Sequence, residues 1–197
     1  MAHQRSAHRL PTYAIGFAMQ TTAVRARSVR RVQEPSARRV PQTPTREERI
    51  FQRCRDILGG TRSIKTTFVG RLELHNAIQT GQFRYSSILR ALASVFPGLA
   101  DEDVARVLGV SSNTLQRRRK EREDTSMPAA KASKAWLLAE TMAKAEVVFG
   151  GTREAAAWMA TPAIGLNNSR PIELLQTLQG AELVSDLLTR LEYGVYS

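Results

Sequence analysis

From Thr45 onward, apolar residues recur at helical spacing in short stretches, and glycine or proline closes most of them. That punctuation restricts the chain to a stack of short amphipathic helices. Thr45 can cap a first helix, in which Arg46-Glu47-Glu48 precede the apolar Ile50, Phe51, Ile57 and Leu58, with Gly59-Gly60 at its end. Leu72, Leu74, Ala77 and Ile78 predict a second helix closed by Gly81. Tyr85, Ile88, Leu89, Leu92, Ala93 and Phe96 predict a third, ending at Pro97-Gly98. No stretch reads convincingly as a strand. The expected fold class is all-α.

A chain of 197 residues can hold one domain of ordinary size or two small ones. Its net charge of +11 suggests a polyanionic partner, and the distribution is uneven. Through Lys120, 22 Lys and Arg stand against 8 Asp and Glu; from Glu121 on, 7 stand against 10. One part faces phosphate and the other faces something else. Cys54 is the single cysteine, so no intrachain disulfide can form and nothing argues for secretion. No apolar run approaches the roughly 18–20 residues that span a bilayer, and Tyr13–Met19 is too short for a signal-peptide core. A cytoplasmic protein without a membrane partner is expected.

Residues 1–45 are rich in Arg, Ser, Thr, Gln and Pro, with Glu34 as the one acidic residue, and they lack a sustained period. Three readings stand open for them: a disordered basic tail, a true start near Met19, or a basic arm that adds phosphate contacts.

The segment from Asp101 to Lys120 carries the clearest local signal. Asp101-Glu102-Asp103 open a helix where they complement its dipole. Ala105 is small where a second helix must approach, and Gly109 suits a turn that needs positive φ. Val104, Leu108, Val110 and Leu115 supply the contacts that fix the angle between the helices, and Ser111 or Ser112 can cap the second. This is the spacing of a helix–turn–helix. Ser112, Asn113, Thr114 and Gln116 then lie where a recognition helix meets base edges, followed by Arg117, Arg118, Arg119 and Lys120 for phosphates or guanine.

The carboxy-terminal part is mildly acidic and helical. Trp136 to Phe149 predict one helix, closed by Gly150-Gly151; Thr152 can cap the next, which ends before Pro162. Gly165-Leu166-Asn167-Asn168-Ser169 predict a turn, and Pro171 a helix start, with Ile172–Leu178 stopping at Gly180. In the last helix Leu183, Leu187 and Leu191 align at i, i+4 and i+8, and they are expected in the core. Gly194 ends it. Tyr193, Val195 and Tyr196 crowd large side chains into the final residues, where they either fold back or dock in a partner.

The run Gly151–Pro162, then Leu166, Arg170-Pro171-Ile172-Glu173-Leu174-Leu175, Thr177, Gly180 and Leu191–Ser197, resembles the toxin-binding domain of the Xre/MbcA/ParS antitoxin family. Ala105–Lys120, with Thr114-Leu115-Gln116-Arg117-Arg118, resembles that family's Xre-like helix–turn–helix. The resemblance covers roughly residues 60–197. One departure is Leu166-Asn167-Asn168-Ser169 where a tight glycine turn is usual, a change Asn can accommodate. The resemblance implies a type II toxin–antitoxin pair whose partner is a RES-domain toxin that consumes NAD. It further implies that Glu192, Tyr193, Gly194, Val195, Tyr196 and Ser197 lie at the toxin's active-site cleft, and that Ser112–Lys120 face operator DNA to repress the operon. The implied division is a basic tail at 1–45, a helix–turn–helix domain at 46–125 and a toxin-binding domain at 126–197. A homodimer or a higher hetero-oligomer with the toxin is expected.

An enzyme is not expected. His3 and His8 lie in the tail, His75 stands alone, and neither a metal-ligand spacing nor a phosphate loop nor a nucleophile motif appears, so no cofactor or metal is called for. The competing reading is a solitary helix–turn–helix regulator whose carboxy-terminal part only dimerises.

Overall fold

A computed structural model of the chain describes residues 43–68 and 70–194, which belong to one compact unit. Most of the Arg-rich amino-terminal segment lies outside the described residues, as do Val195, Tyr196 and Ser197. In chain order the helices are α1 (Arg46–Ile57), α2 (Arg71–Gln79), α3 (Tyr85–Val95), α4 (Asp101–Leu108), α5 (Ser112–Lys120), α6 (Ala129–Phe149), α7 (Thr152–Ala160), α8 (Pro171–Leu174) and α9 (Leu178–Glu192). Short 3-10 turns occupy Gly60–Arg62 and Ile164–Leu166. Among the described residues only isolated β-bridges occur and no strand forms, so the fold is all-α.

The 21-residue α6 is the central element. Ala132, Ala135, Trp136, Leu138, Ala139, Met142, Ala143 and Ala145 are buried on several sides of it, as befits a helix enclosed by others. Helices α1, α4, α7 and α9 all pack on it. Phe51 of α1 meets Trp136 with ring centroids 4.9 Å apart, and Phe68 completes the aromatic cluster 5.6 Å from each. The far end of the same contact is polar. Arg53 donates two hydrogen bonds to Glu146, at 2.6 and 2.9 Å, and the Thr152 hydroxyl donates a third at 2.7 Å.

Turn chemistry follows the sequence at several points. Thr45 and Glu48 form a reciprocal capping box at the start of α1. Asn167 and Asn168 both adopt left-handed backbone, at φ 54° and 58°, in the turn before Pro171 opens α8. Three details differ. Thr152 is the first residue of α7 rather than its cap, because its hydroxyl is committed to Glu146. Gly180 does not stop a helix; it lies in the first turn of α9, which Thr177 caps by accepting from the Gly180 N–H at 3.1 Å. A Cβ at position 180 would come within 2.1 Å of the Leu174 carbonyl oxygen, so the glycine lets α8 abut α9. Finally, α9 buries Ala181, Val184 and Leu188; of the Leu183–Leu187–Leu191 stripe, Leu183 is exposed, while Leu187 and Leu191 are half-buried and Leu187 packs against the core.

Two expectations follow from this packing. Burial acts to raise the Glu146 carboxyl, but the hydrogen bonds from Arg53 and Thr152 outweigh it and hold the group below the ordinary glutamate value. A carboxyl lowered on folding stabilises the protein fully above its unfolded value of about 4.3, and that stability is lost as pH falls through the lowered folded value. Glu146→Gln should therefore lower the melting temperature at neutral pH and flatten its decline below about pH 4.5; an unchanged acid profile would remove the pair from the stability of α1 on α6. Cys54 is fully buried, and burial together with nearby Glu140 pushes its thiol up to about 12. It should resist iodoacetamide in the folded chain and react only after denaturation.

Candidate DNA-facing and partner-facing surfaces

Helices α4 and α5 are joined through Gly109, which is left-handed at φ 66°, as the spacing requires. Ser111 caps α5, accepting from the Thr114 N–H at 3.2 Å. Ala105, Val104, Leu108 and Leu115 are buried between these helices and α3, and Val110 packs at the edge of the same core. The segment that follows α5 is fixed to α3 as well. Asp124 accepts from the backbone N–H of Ser86 at 2.9 Å and from the Ser87 hydroxyl, capping a helix that has no cap of its own.

On α5 the residues singled out in the sequence divide into two groups. Asn113, Gln116, Arg117 and Lys120 are exposed and follow one another at i, i+3, i+4 and i+7, so they share one face. Ser112, Thr114, Arg118 and Arg119 are half-buried. The Arg118 guanidinium lies 5.4 Å from the Tyr85 ring centre and pairs with Glu121 at 2.9 Å. Burial raises the Tyr85 phenol above its ordinary value, against the pull of Arg118. Arg119 makes a bidentate pair with Asp101, at 2.6 and 3.0 Å, which clamps α5 onto the start of α4. Two of the four cations in the run thus have intramolecular partners. Glu121 is local to Arg118, but nothing in local sequence separates Arg119 from its neighbours, since Asp101 lies 18 positions away.

A second ionic node joins α4 to the start of α8. Asp103 is buried and accepts two hydrogen bonds from Arg170, at 3.1 and 3.2 Å, and one from Arg106 at 3.2 Å. Arg170 also reaches Glu173 at 2.6 Å. Hydrogen bonds donated to Glu173 and then to Asp103 raise the Arg170 guanidinium above its usual value, and the bond from Arg170 lowers Glu173.

At the carboxy-terminal end, Glu192 is the last residue of α9, and its carboxylate accepts from Arg46, with the Nε contact at 2.7 Å. The pair sets the start of α1 beside the end of α9. Tyr193 beyond it is exposed, and Gly194 is left-handed at φ 67°, closing the helix with an N–H donated to the Leu191 carbonyl at 3.3 Å. The remaining three residues of this expected contact, Val195, Tyr196 and Ser197, lie outside the described residues.

The apolar surface is concentrated in this part of the chain. Of the six large hydrophobic side chains exposed among the described residues, Leu72 is on α2, whereas Val147, Ile164, Leu178, Leu183 and Tyr193 all fall between positions 144 and 194. Helical periodicity in α9 had placed Leu183 inside. What exposes it is the rotation of the helix about Ala181, Val184 and Leu188, and that depends on α6 rather than on α9 itself.

Among the described residues no cluster of three metal-ligating side chains occurs, and no helix is long and apolar enough to cross a membrane.

Residues 144–194 match the model of the antitoxin Xre/MbcA/ParS carboxy-terminal toxin-binding domain. Across 96 residues the chain is 36% identical to the antitoxin Xre of Yersinia enterocolitica serotype O:8 / biotype 1B, a stretch that takes in 48% of this chain and 64% of that relative. The chain spans somewhat less than two thirds of the curated relative it matches. Both matches support an antitoxin of the Xre/MbcA/ParS family.

Proposed function

We propose that the protein is a cytoplasmic, non-catalytic antitoxin of a type II pair, in which residues 126–197 bind and silence a RES-type, NAD-consuming toxin. Residues 46–125 bind operator DNA and repress the operon. The observation that carries the toxin-binding half is the concentration of exposed apolar side chains within residues 144–194, the stretch matched to a toxin-binding domain. Large apolar side chains left exposed in numbers are what a protein interface would cover. Silencing is steric: the segment from Glu192 to Ser197 covers the toxin's active site. Tyr193, exposed, and Gly194, left-handed, support an end that turns out of α9 at no steric cost. Glu192 supports it differently, since its pairing with Arg46 makes it an anchor for the end rather than a direct contact.

The DNA-binding half rests on the exposed face of α5. Asn113 and Gln116 can each pair bidentately with adenine, and Arg117 and Lys120 can meet guanine or phosphate. Residues 112, 114, 118 and 119 support that face from behind, with Ser111 and Asp101 fixing the helix to its turn and to α4.

Truncation after Glu192 should preserve the helical circular dichroism spectrum and operator binding. It should weaken toxin neutralisation several-fold or more, measured as NAD remaining in cells that co-express the toxin. Full silencing by the truncated chain at equal concentration would refute the covering role of the terminal segment. For DNA, Arg117→Ala with Lys120→Ala should weaken binding to the operon's own promoter duplex and reduce the slope of log K against log salt by about 2. Arg119→Ala should instead lower the melting temperature, because it leaves Asp101 without its partner. Unchanged promoter affinity in the double variant would remove recognition from α5.

A further inference from the structure

The 3-10 turn Ile164–Leu166 lies against α9, and together they form a surface that the core leaves uncovered. Ile164 is 89% exposed and Leu183 is 56% exposed, although both are large aliphatic side chains. Leu187, one turn on from Leu183, is half-buried against the core. Gly165 permits the turn's closeness to α9, since a Cβ there would come within 2.8 Å of a Leu187 methyl. A cleft of about 370 Å³ opens in the same place, with Leu166 and Leu183 as its apolar walls and Asp186 and Arg190 at its rim. Neither of those two charges has an ion-pair partner among the described residues.

We infer that this cleft is a second docking site for the toxin, separate from the terminal segment, which receives a large aliphatic or aromatic side chain of the toxin. The inference rests on the toxin-binding reading given above. Three observations commit the site to that partner. It lies wholly within residues 144–194, the stretch matched to a toxin-binding domain. Leu183, Leu187 and Arg190 succeed one another at i, i+4 and i+7, so the surface runs along α9 toward Glu192, where the terminal segment begins. A toxin engaged by that segment is thereby brought over the cleft. The two unpaired rim charges, finally, suit a polar border around an apolar centre, the usual arrangement of a protein interface. The site would supply affinity and register, while the terminal segment would supply occlusion.

The test uses the full chain and the toxin encoded beside it, inactivated in its active site and immobilised. Leu183→Asp in the cleft and Ile164→Asp in the turn that borders it, together the cleft variants, are compared with Leu72→Asp, an exposed apolar position outside the matched domain. Both cleft variants should bind at least about tenfold more weakly, chiefly through faster dissociation, with melting temperatures unchanged. Leu72→Asp should bind as the native chain does. Should either cleft variant lose its fold, Ile164→Ser and Leu183→Ser provide the same comparison. Toxin affinity within twofold of native in the folded cleft variants would overturn the inference and leave the terminal segment as the contact. A cleft variant that turns a dimer of the chain alone into a monomer, with toxin affinity unchanged, would also overturn it, by assigning the surface to a second copy. If the native chain fails to bind the toxin at all, the antitoxin reading falls first, and this site with it.

Discussion

Enclosure of α6 is the constraint on which the rest of the structure depends. A helix of 21 residues extends about 30 Å, and this one is lined with alanine at positions 132, 135, 139, 143 and 145. Small side chains let neighbouring helices approach its backbone closely, so α1, α4, α7 and α9 can all reach it. The aromatic contacts of Trp136 and the ionic contacts of Glu146 then fix α1 at two separate points along its length. A helix with a single apolar stripe could not have organised neighbours on so many sides. Both candidate surfaces are consequences of that arrangement, since α4 and α9 are each seated on α6.

The arginines of the chain have two kinds of work. Its net charge of +11 suggests a surface devoted to phosphate, yet several guanidinium groups are committed within the fold. Arg53 joins α1 to α6, Arg119 joins α5 to α4, and Arg170 joins the start of α8 to Asp103 in α4. Arg46 meets Glu192. These pairs connect elements far apart in sequence, and planar guanidinium groups suit them because two parallel hydrogen bonds fix orientation as well as distance. The cations left for a nucleic acid are fewer than a count suggests, and on α5 they fall on one face.

The Asp103 node bears on how the two proposed activities share one molecule. Its carboxylate lies in α4, in the helix pair proposed to meet DNA, while Arg170 begins the helix that precedes α9. A buried carboxylate is costly without its partner, so the two segments hold one another in a defined relation. The same economy appears at Asp124, which ties the exit of α5 to the start of α3.

The sequence by itself determined the class of fold, the helix–turn–helix spacing and the local turn chemistry, because these are written in short-range preferences. Thr45, Ser111, Gly109, Asn167-Asn168 and Pro171 act within a few residues of themselves, and each stands where its chemistry places it. Only the tertiary structure decided which face of α9 is inside, that Gly180 lies within a helix, and which arginines of α5 are free. Leucines at i, i+4 and i+8 mark an apolar stripe, but burial is settled by what packs on the helix, which buries Ala181, Val184 and Leu188 and leaves Leu183 exposed. Gly180 reads as a stop until the Leu174 carbonyl is seen 2.1 Å from where its Cβ would be. Arg119 is indistinguishable from Arg117 until folding brings Asp101 beside it. The face of α9 and the pairing of Arg119 are fixed by neighbours distant in the chain, and the place of Gly180 by how α8 meets α9, none of which a local pattern records.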